Sequence, residues 1–157
     1  MRALIQRVER AQVEVDGSVV GSCGEGYLIL LGVAPEDDEA LVERLWRKVA
    51  ALRICEDDEG KTNRSLADTG GGVLVVSQFT LYADARRGNR PSFTGAARPE
   101  LAERLYERFC ALAEADLGAG RVGRGVFGAE MRVSLVNHGP FTVLLDTDEL
   151  GWSSSRG

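Results

Sequence analysis

A glycine-proline pair near the end of the chain, Gly139-Pro140, is the feature that most restricts how this sequence can fold. It separates two short apolar runs, residues 131–136 and residues 141–145. Proline has a fixed φ and no amide hydrogen, so the pair favours a tight, rigid turn. The pattern therefore predicts two strands joined by a turn whose carbonyl oxygens are bare and available to a ligand.

The rest of the chain alternates short apolar runs with two longer amphipathic stretches. Asp16-Gly17 lies between β-branched residues, which is typical of a tight hairpin turn. Apolar residues recur at helical spacing after the segment 35–38, whose capping and acidic residues suit a helix start, and again after Pro99, which suits a first helical turn. We expect the second helix to end near Gly118. Strands are expected at 2–8, 13–15, 19–20, 27–33, 73–79, 122–127, 131–136 and 141–146, and a polar loop at 56–72. This order indicates an α+β fold.

Length and composition indicate a single soluble domain. The chain has 157 residues, of which we expect 1–150 to form the domain and the Ser/Gly-rich residues 151–157 a flexible tail. No apolar run reaches the roughly 18 residues that cross a bilayer, and no signal peptide precedes the first strand. We therefore expect a cytoplasmic protein that does not bind a membrane.

No metal and no cofactor are expected. Three widely spaced cysteines form no Cys-x-x-Cys pair and are expected to be buried free thiols: Cys23, Cys55 and Cys110. Gly60-Lys61-Thr62 is not a phosphate-binding loop, because Cys55 stands where that motif needs its first glycine. The only histidine, His138, has no second histidine or cysteine at ligand spacing. The acidic run 56–59 is expected to be solvated.

Two polar segments are candidates for a functional site. Ser77-Gln78-Phe79-Thr80 follows an apolar run, so its hydroxyl and amide groups lie where a strand ends. From the residues alone, ordinary strand-end hydrogen bonds are the favoured explanation. Arg86, Arg87 and Arg90 precede Phe93 in a loop-like segment. Guanidinium groups bind phosphate oxygens bidentately, although a solvated loop is the alternative. A net charge of −5 argues against a broad nucleic-acid footprint but permits contact with one end of an RNA.

These segments, together with the Asn-x-Gly-Pro-x-Thr pattern at 137–142 and the first residues of the chain, resemble the D-aminoacyl-tRNA deacylases. The resemblance extends from Met1 to about Asp146. It implies a β-barrel-like sheet assembly flanked by two main helices, and a homodimer with its active sites at the subunit interface. The sequence departs from the family pattern at His138 and Phe141, where an acidic residue and a valine are more usual.

The resemblance also implies roles for individual residues. Residues 77–80 line the pocket for the aminoacyl ester, and backbone amides near Phe79 and Thr80 stabilise the oxyanion, at ~3–4 kcal/mol for one donor. The Gly139-Pro140 peptide is cis and enters the partner's active site, where it rejects an L side chain but passes a D-amino acid or glycine. It further implies that the substrate is contacted by Asn137, Thr142, Arg7 and Met131. The tRNA acceptor end is expected to contact Arg86, Arg87, Arg90 and Phe93.

The residues leave two chemical routes open. In one, Thr80 attacks the ester carbonyl, but this route lacks an obvious base, since a Ser-His-Asp type of site would have to use His138. In the other, water attacks with help from the ribose 2′-hydroxyl, and this route is preferred because it needs no such base. A non-catalytic module that binds nucleic acid or a protein partner is the rival class of function.

Overall fold

A computed structural model describes residues 1–152 and residue 154. Its largest feature is a six-stranded mixed sheet, accompanied by a two-stranded sheet and by helices. The strands are β1 (Arg2–Val15), β2 (Ser18–Cys23), β3 (Gly26–Gly32), β4 (Cys55–Glu56), β5 (Thr62–Arg64), β6 (Gly72–Ser77), β7 (Val122–Arg124) and β8 (Arg132–Asp146). The α-helices are α1 (Glu39–Ala51), α2 (Leu66–Thr69) and α3 (Pro99–Leu117), and short 3-10 helices cover Phe79–Tyr82 and Ala119–Arg121.

The first strand is long enough to pair with three neighbours. One edge of β1 pairs with β3 along its first half and with β2 along its second half, both antiparallel. The other edge pairs with β8. The turn between β1 and β2 has a positive φ at both Asp16 (50°) and Gly17 (78°). This is the geometry of a two-residue type I′ hairpin, so the hairpin prediction is confirmed.

The remaining strands of the six-stranded sheet are parallel and bring its two ends together. β6 lies parallel to both β3 and β7. A Cβ added at Gly21 in β2 would lie 2.2 Å from the carbonyl oxygen of Arg124 in β7, and one at Gly123 would lie 2.4 Å from that of Ser22. Only glycine permits such an approach of two backbones. The contact nearly closes the sheet into a barrel, which confirms the expected β-barrel-like α+β fold.

Helices α1 and α3 lie together over the barrel and bury its apolar side chains. The Asp38 carboxylate caps α1 by accepting the Leu41 N–H at 2.9 Å, Pro99 occupies the first turn of α3, and α3 ends at Gly118 with φ +88°. The Trp46 ring meets Phe109 edge-on at 5.4 Å. Both predicted helix starts and the predicted end of the second are confirmed.

The structure differs from the sequence prediction in several places. The strands expected at 2–8 and 13–15 are one strand, β1, and the strand expected at 122–127 ends at Arg124. Residues 131–146 do not form two strands joined by a turn, because β8 continues through Gly139-Pro140 as one strand with a local excursion. The expected loop 56–72 contains β4, β5 and α2, since Asp57 accepts two backbone N–H groups of the turn and Ser65 caps α2 reciprocally with Asp68. The strand expected to reach residue 79 ends at Ser77, where the 3-10 turn begins.

The end of the chain is described only in part. Trp152 donates its backbone N–H to the Thr147 carbonyl at 2.8 Å, and the Arg44 guanidinium lies 4.2 Å above its ring. Of the expected flexible tail, residues 153 and 155–157 lie outside the described residues. None of the helices within residues 1–152 is both long enough and apolar enough to span a bilayer.

Candidate active site

An apolar cavity of about 600 Å³ opens beside the end of β6. The Phe79 and Phe93 rings meet edge-on across its mouth, with centroids 5.2 Å apart, although the Phe79 side chain is 55% exposed. The lining comes from β3, β6, the start of α3 and the segment that joins β7 to β8, and it includes Val76, Ser77, Gln78, Ala97, Phe127 and Met131. Apolar walls with a few convergent polar groups are typical of a small-molecule site.

The polar groups of this cavity come from the end of β6. The Gln78 N–H donates to the Leu31 carbonyl at 2.8 Å, which fixes the backbone where the strand stops. The Gln78 side-chain amide then donates to the Thr80 hydroxyl. Ser77, Gln78 and Phe79 line the cavity, whereas Thr80 lies just behind them. Phe79 and Thr80 open a 3-10 helix, and backbone N–H groups at such positions have no intrahelical acceptor. Phe79 lines the cavity, so one of these two amides belongs to a residue of its wall.

The predicted arginine cluster forms the exposed tip of a separate loop. Backbone hydrogen bonds between Asp84 and Ser92, 2.7 and 2.9 Å long, close this loop at its base. Arg86 makes a bidentate pair with Asp84, and this hydrogen bonding lowers the pKa of the Asp84 carboxyl to about 2. Arg87 and Arg90 are exposed. The loop continues along the chain to Phe93, which lines the apolar cavity, whereas Arg86 borders a separate pocket with Arg2 and Tyr82.

Gly139-Pro140 lies at the tip of the excursion in β8. Gln6 of β1 pairs with Thr142 and Val8 pairs with Asn137, so residues 138–141 have only Arg7 opposite them. The Gly139-Pro140 peptide bond is cis, and both residues are exposed. The four-residue excursion 138–141 is called the Gly-Pro loop below.

Side chains at the base of the Gly-Pro loop hold it in place. The Asn137 amide donates to the Arg7 carbonyl at 2.8 Å and to the Phe141 carbonyl at 3.2 Å. The buried Arg7 guanidinium donates to the carbonyls of His138 at 3.1 Å and Gly139 at 3.2 Å. The expectation of bare carbonyls is therefore wrong for these two, although each oxygen retains a second lone pair.

Comparison with known proteins places this architecture in a family. The family model described as D-Tyr-tRNA(Tyr) deacylase matches residues 4–146, which includes the cavity and the Gly-Pro loop. The chain belongs to this deacylase family. A D-aminoacyl-tRNA deacylase of Symbiobacterium thermophilum is 56% identical over 149 residues, covering 95% of this chain and 97% of the relative. That of Deinococcus radiodurans is 58% identical over 146 residues, covering 93% and 99%.

Two solved structures share this fold. A protein described as a c-Myc DNA unwinding element binding protein superposes with a TM-score of 0.88 and 38% identity, covering 93% of this chain and 98% of that one. A probable eukaryotic D-amino acid tRNA deacylase superposes with a TM-score of 0.81, covering 92% and 97%. At 18% identity, the second likeness shows the fold alone.

In this deacylase the predicted site residues fall into three groups, one of which is the arginine loop already described. Ser77, Gln78 and Phe79 lie at the cavity with Phe93 and Met131. The second group, Arg7 and the residues of the 137–142 pattern, contributes nothing to the lining of that cavity within residues 1–152. Arg7 and His138 instead border a different, polar cavity of about 590 Å³. One described chain thus carries both predicted elements of the site without bringing them together.

Sequence reasoning missed several residues of the deacylase site. Ala96 and Ala97 line the cavity, but two alanines before a helix carry no chemical signal in a sequence. Glu56 lies in the acidic run that was expected to be solvated, yet its carboxylate oxygen is 3.4 Å from Arg7 and 3.8 Å from His138. Its pairing depends on a tertiary contact between β4 and β1, which no local pattern reveals.

The cysteines are poor candidates for chemistry in this deacylase. Burial raises the pKa of the Cys110 thiol to about 12 and that of the Cys23 thiol to about 11, so both are protonated at neutral pH. Cys110 and Cys55 are buried, as expected, whereas Cys23 is only partly so. Within the described part of the chain, histidine, cysteine and carboxylate side chains form no cluster that could hold a metal ion.

Proposed function

We propose that this chain hydrolyses the ester bond between a D-amino acid, or glycine, and the terminal ribose of tRNA. The products are the free amino acid and a tRNA that can be charged again. The family match over residues 4–146 is the observation that carries this proposal. Relatives 56–58% identical to the chain bear the name D-aminoacyl-tRNA deacylase, which supports the same substrate class. Such a protein works in the cytoplasm and needs no cofactor.

The reaction requires stabilisation of the negative charge that develops on the carbonyl oxygen of the ester when it is attacked. In this proposal the acyl group occupies the cavity beside Ser77 and Gln78, with the ester carbonyl directed at the Phe79 and Thr80 amides. Those amides lie at the first positions of a 3-10 helix, where they have no intrahelical acceptor. A preorganised donor of this kind commonly contributes about 3–4 kcal/mol to the transition state.

The attacking nucleophile in this proposal is water, assisted by the neighbouring ribose 2′-hydroxyl. The Thr80 hydroxyl accepts a hydrogen bond from the Gln78 amide, an arrangement that orients the oxygen but does not remove its proton. The only histidine of the chain, His138, belongs to the Gly-Pro loop and not to the cavity lining. We expect Thr80→Val to retain hydrolysis, whereas a substrate with a 2′-deoxyribose terminus reacts much more slowly. An inactive, folded Thr80→Val enzyme that still binds tRNA would support attack by Thr80 instead.

Selection against L-amino acids is assigned to the Gly-Pro loop of a second copy of the chain. Gly139 and Pro140 are exposed and lie outside the cavity of their own chain, so they are free to enter the cavity of a partner. The carbonyls there restrict the space that an L side chain requires, and a D side chain points elsewhere. This geometry requires a homodimer, so a protein that sediments only as a monomer at assay concentration contradicts it.

The tRNA acceptor end is assigned to the arginine loop and the aromatic mouth. Exposed Arg87 and Arg90 suit phosphate oxygens, while Phe93 and Met131 form walls against which a terminal adenine can stack. Arg86 also contributes positive charge, although it shares that charge with Asp84. This footprint covers one single-stranded end, in keeping with a net charge of −5.

A paired deacylation assay tests the proposal. D-Tyr-tRNA and L-Tyr-tRNA are incubated with the protein under identical conditions, with each ester's spontaneous hydrolysis subtracted. We expect fast release from the D ester alone. Release from both esters would support esterase activity but would contradict the selectivity assigned to the Gly-Pro loop.

The second candidate is a non-catalytic module that binds nucleic acid or a protein partner on the same fold. It is favoured by the 38% identical structure whose title names a DNA unwinding element binding protein. This candidate predicts binding of single-stranded nucleic acid without release of an amino acid from either ester. Release from neither ester by folded, dimeric protein therefore supports it over the deacylase.

A further inference from the structure

Arg7 connects the body of the barrel to the tip of the Gly-Pro loop. It stands on β1 opposite the excursion, and its guanidinium donates to the His138 and Gly139 carbonyls on one side. Its side chain is only 5% exposed, so its charge is largely removed from water. A buried cation keeps a fixed position only if its other donors and its charge are also matched.

The opposite side of the Arg7 guanidinium is held by the segment that begins the β4–β5 hairpin. Nη1 donates to the Ile54 carbonyl at 2.8 Å, and Nη2 lies 3.4 Å from Glu56 Oε1. Among residues 1–152, Glu56 is the only carboxylate within ion-pair distance of Arg7. The same oxygen lies 3.8 Å from His138 Nε2, so Glu56 contacts both the cation and the loop that the cation holds.

The face of the Arg7 guanidinium is covered by an aromatic ring. The guanidinium carbon lies 4.6 Å from the centroid of Phe141, the last residue of the Gly-Pro loop. The ring is partly buried and also packs against the main core. A cation over a ring is attracted by the ring quadrupole, and the attraction grows when the pair is shielded from water. Phe141 therefore attaches the end of the loop to the side chain that holds its tip.

We propose that Glu56 and Phe141 are positioning residues that fix the Gly-Pro loop through Arg7. Glu56 balances the positive charge of the Arg7 guanidinium and contacts one edge of it. The Phe141 ring lies against the face of the guanidinium and holds its plane. Neither residue lines the apolar cavity of its own chain. Phe141 is half-buried with its ring on Arg7 and against the core, so it is not part of the exposed tip, Gly139 and Pro140, that is assigned to the partner's cavity. The consequence rests on the proposed function: loosening Arg7 should reduce discrimination between D and L esters more than it reduces turnover of the D ester.

Two variants and two readouts test this proposal. Glu56→Gln removes the anionic partner, and Phe141→Leu removes the ring while keeping an apolar side chain. We expect each to lower the D-to-L ratio of kcat/KM about tenfold, with kcat for D-Tyr-tRNA changed by less than about twofold. We also expect faster hydrogen exchange of the His138, Gly139 and Phe141 amides, measured without substrate.

Matched controls separate positioning from general destabilisation. Glu59→Gln breaks the exposed pair with Lys61 on the same hairpin and should change neither readout. Phe141→Tyr keeps the aromatic face and should retain the wild-type ratio. Folded Glu56→Gln and Phe141→Leu proteins with wild-type exchange and selectivity would overturn the proposal. If the wild-type protein hydrolyses neither ester, the proposed function fails, and the exchange measurement alone decides whether Glu56 and Phe141 hold the loop.

Discussion

Replacing Gly139 by alanine should impair the reaction while leaving the stability of the single chain almost unchanged. A Cβ built on Gly139 meets no atom of the described residues within 4 Å, and its φ lies outside the left-handed region. Alanine at such a position changes the free energy of unfolding by no more than about 1 kcal/mol. For a chain of 157 residues this corresponds to a shift in Tm of about 2–4 °C. The variant should therefore fold like the wild type.

The same methyl group should nevertheless impair the reaction. If the Gly-Pro loop enters a partner's cavity, the added carbon enters a packed space, where one extra methylene costs about 1–3 kcal/mol. That range corresponds to a loss of about 5- to 150-fold in kcat/KM for D-Tyr-tRNA. Scanning calorimetry and the paired deacylation assay measure the two effects on one preparation.

A matched glycine variant makes the Gly139 result interpretable. Gly120 also has open space around its Cβ position among the described residues and no left-handed φ, so Gly120→Ala should change neither Tm nor turnover appreciably. Wild-type turnover and wild-type D-to-L selectivity in Gly139→Ala would refute the trans role of the loop. Unfolding of that variant would instead refute the premise that Gly139 faces open space.

Three further outcomes are expected. Gly21→Ala places a methyl group 2.2 Å from the backbone of β7 and should cost about 1–3 kcal/mol in urea unfolding, whereas Gly24→Ala, with open space among described residues, should stay within about 0.5 kcal/mol. In an NMR titration the Asp84 carboxyl should have a pKa of about 2, and in Arg86→Gln this pKa should return toward its ordinary value of 3.8. Because the pKa is lowered, the Asp84–Arg86 pair is fully formed above pH 3.8 and is lost as the pH falls through about 2. Arg87→Gln should reduce the slope of log affinity for the tRNA end against log salt by about 0.7, without changing D-to-L selectivity.

Local sequence signals predicted those parts of the fold that depend on a few neighbouring residues. The Asp16-Gly17 hairpin follows from backbone preferences within two positions, and the start of α1 follows from the Asp38 carboxylate and the acidic first turn. The end of α3 at Gly118 is equally local. The nearly closed barrel is different in kind, because it depends on Gly21 and Gly123 meeting across strands β2 and β7. Nothing in either neighbourhood marks these glycines as partners.

The Gly-Pro pair shows why a correct local inference can still give the wrong topology. Proline interrupts a strand ladder, as predicted, but the chain does not reverse there. β8 keeps the same partner, β1, on both sides of the interruption, since Gln6 pairs with Thr142 and Val8 with Asn137. Whether an interrupted strand turns back or bulges outward is decided by its neighbour, and β1 is long enough to support both halves.

Two of the three groups of candidate site residues also differ in what fixes their positions. Ser77 and Gln78 are fixed locally, by the end of a buried parallel strand and one backbone hydrogen bond to Leu31. The tip of the Gly-Pro loop is exposed, and it depends on a buried Arg7 whose side chain contacts two other segments of the chain, residues 54–56 and residues 138–141. The Glu56 side chain that pairs with Arg7 is 46% exposed, and such an ion pair adds little to stability, so its presence here is better explained by the position it imposes. If the Gly-Pro loop rejects L esters as proposed, that rejection depends on its position more than hydrolysis does, because a loop displaced by about 1 Å would leave the amides near Phe79 in place but admit the wrong enantiomer.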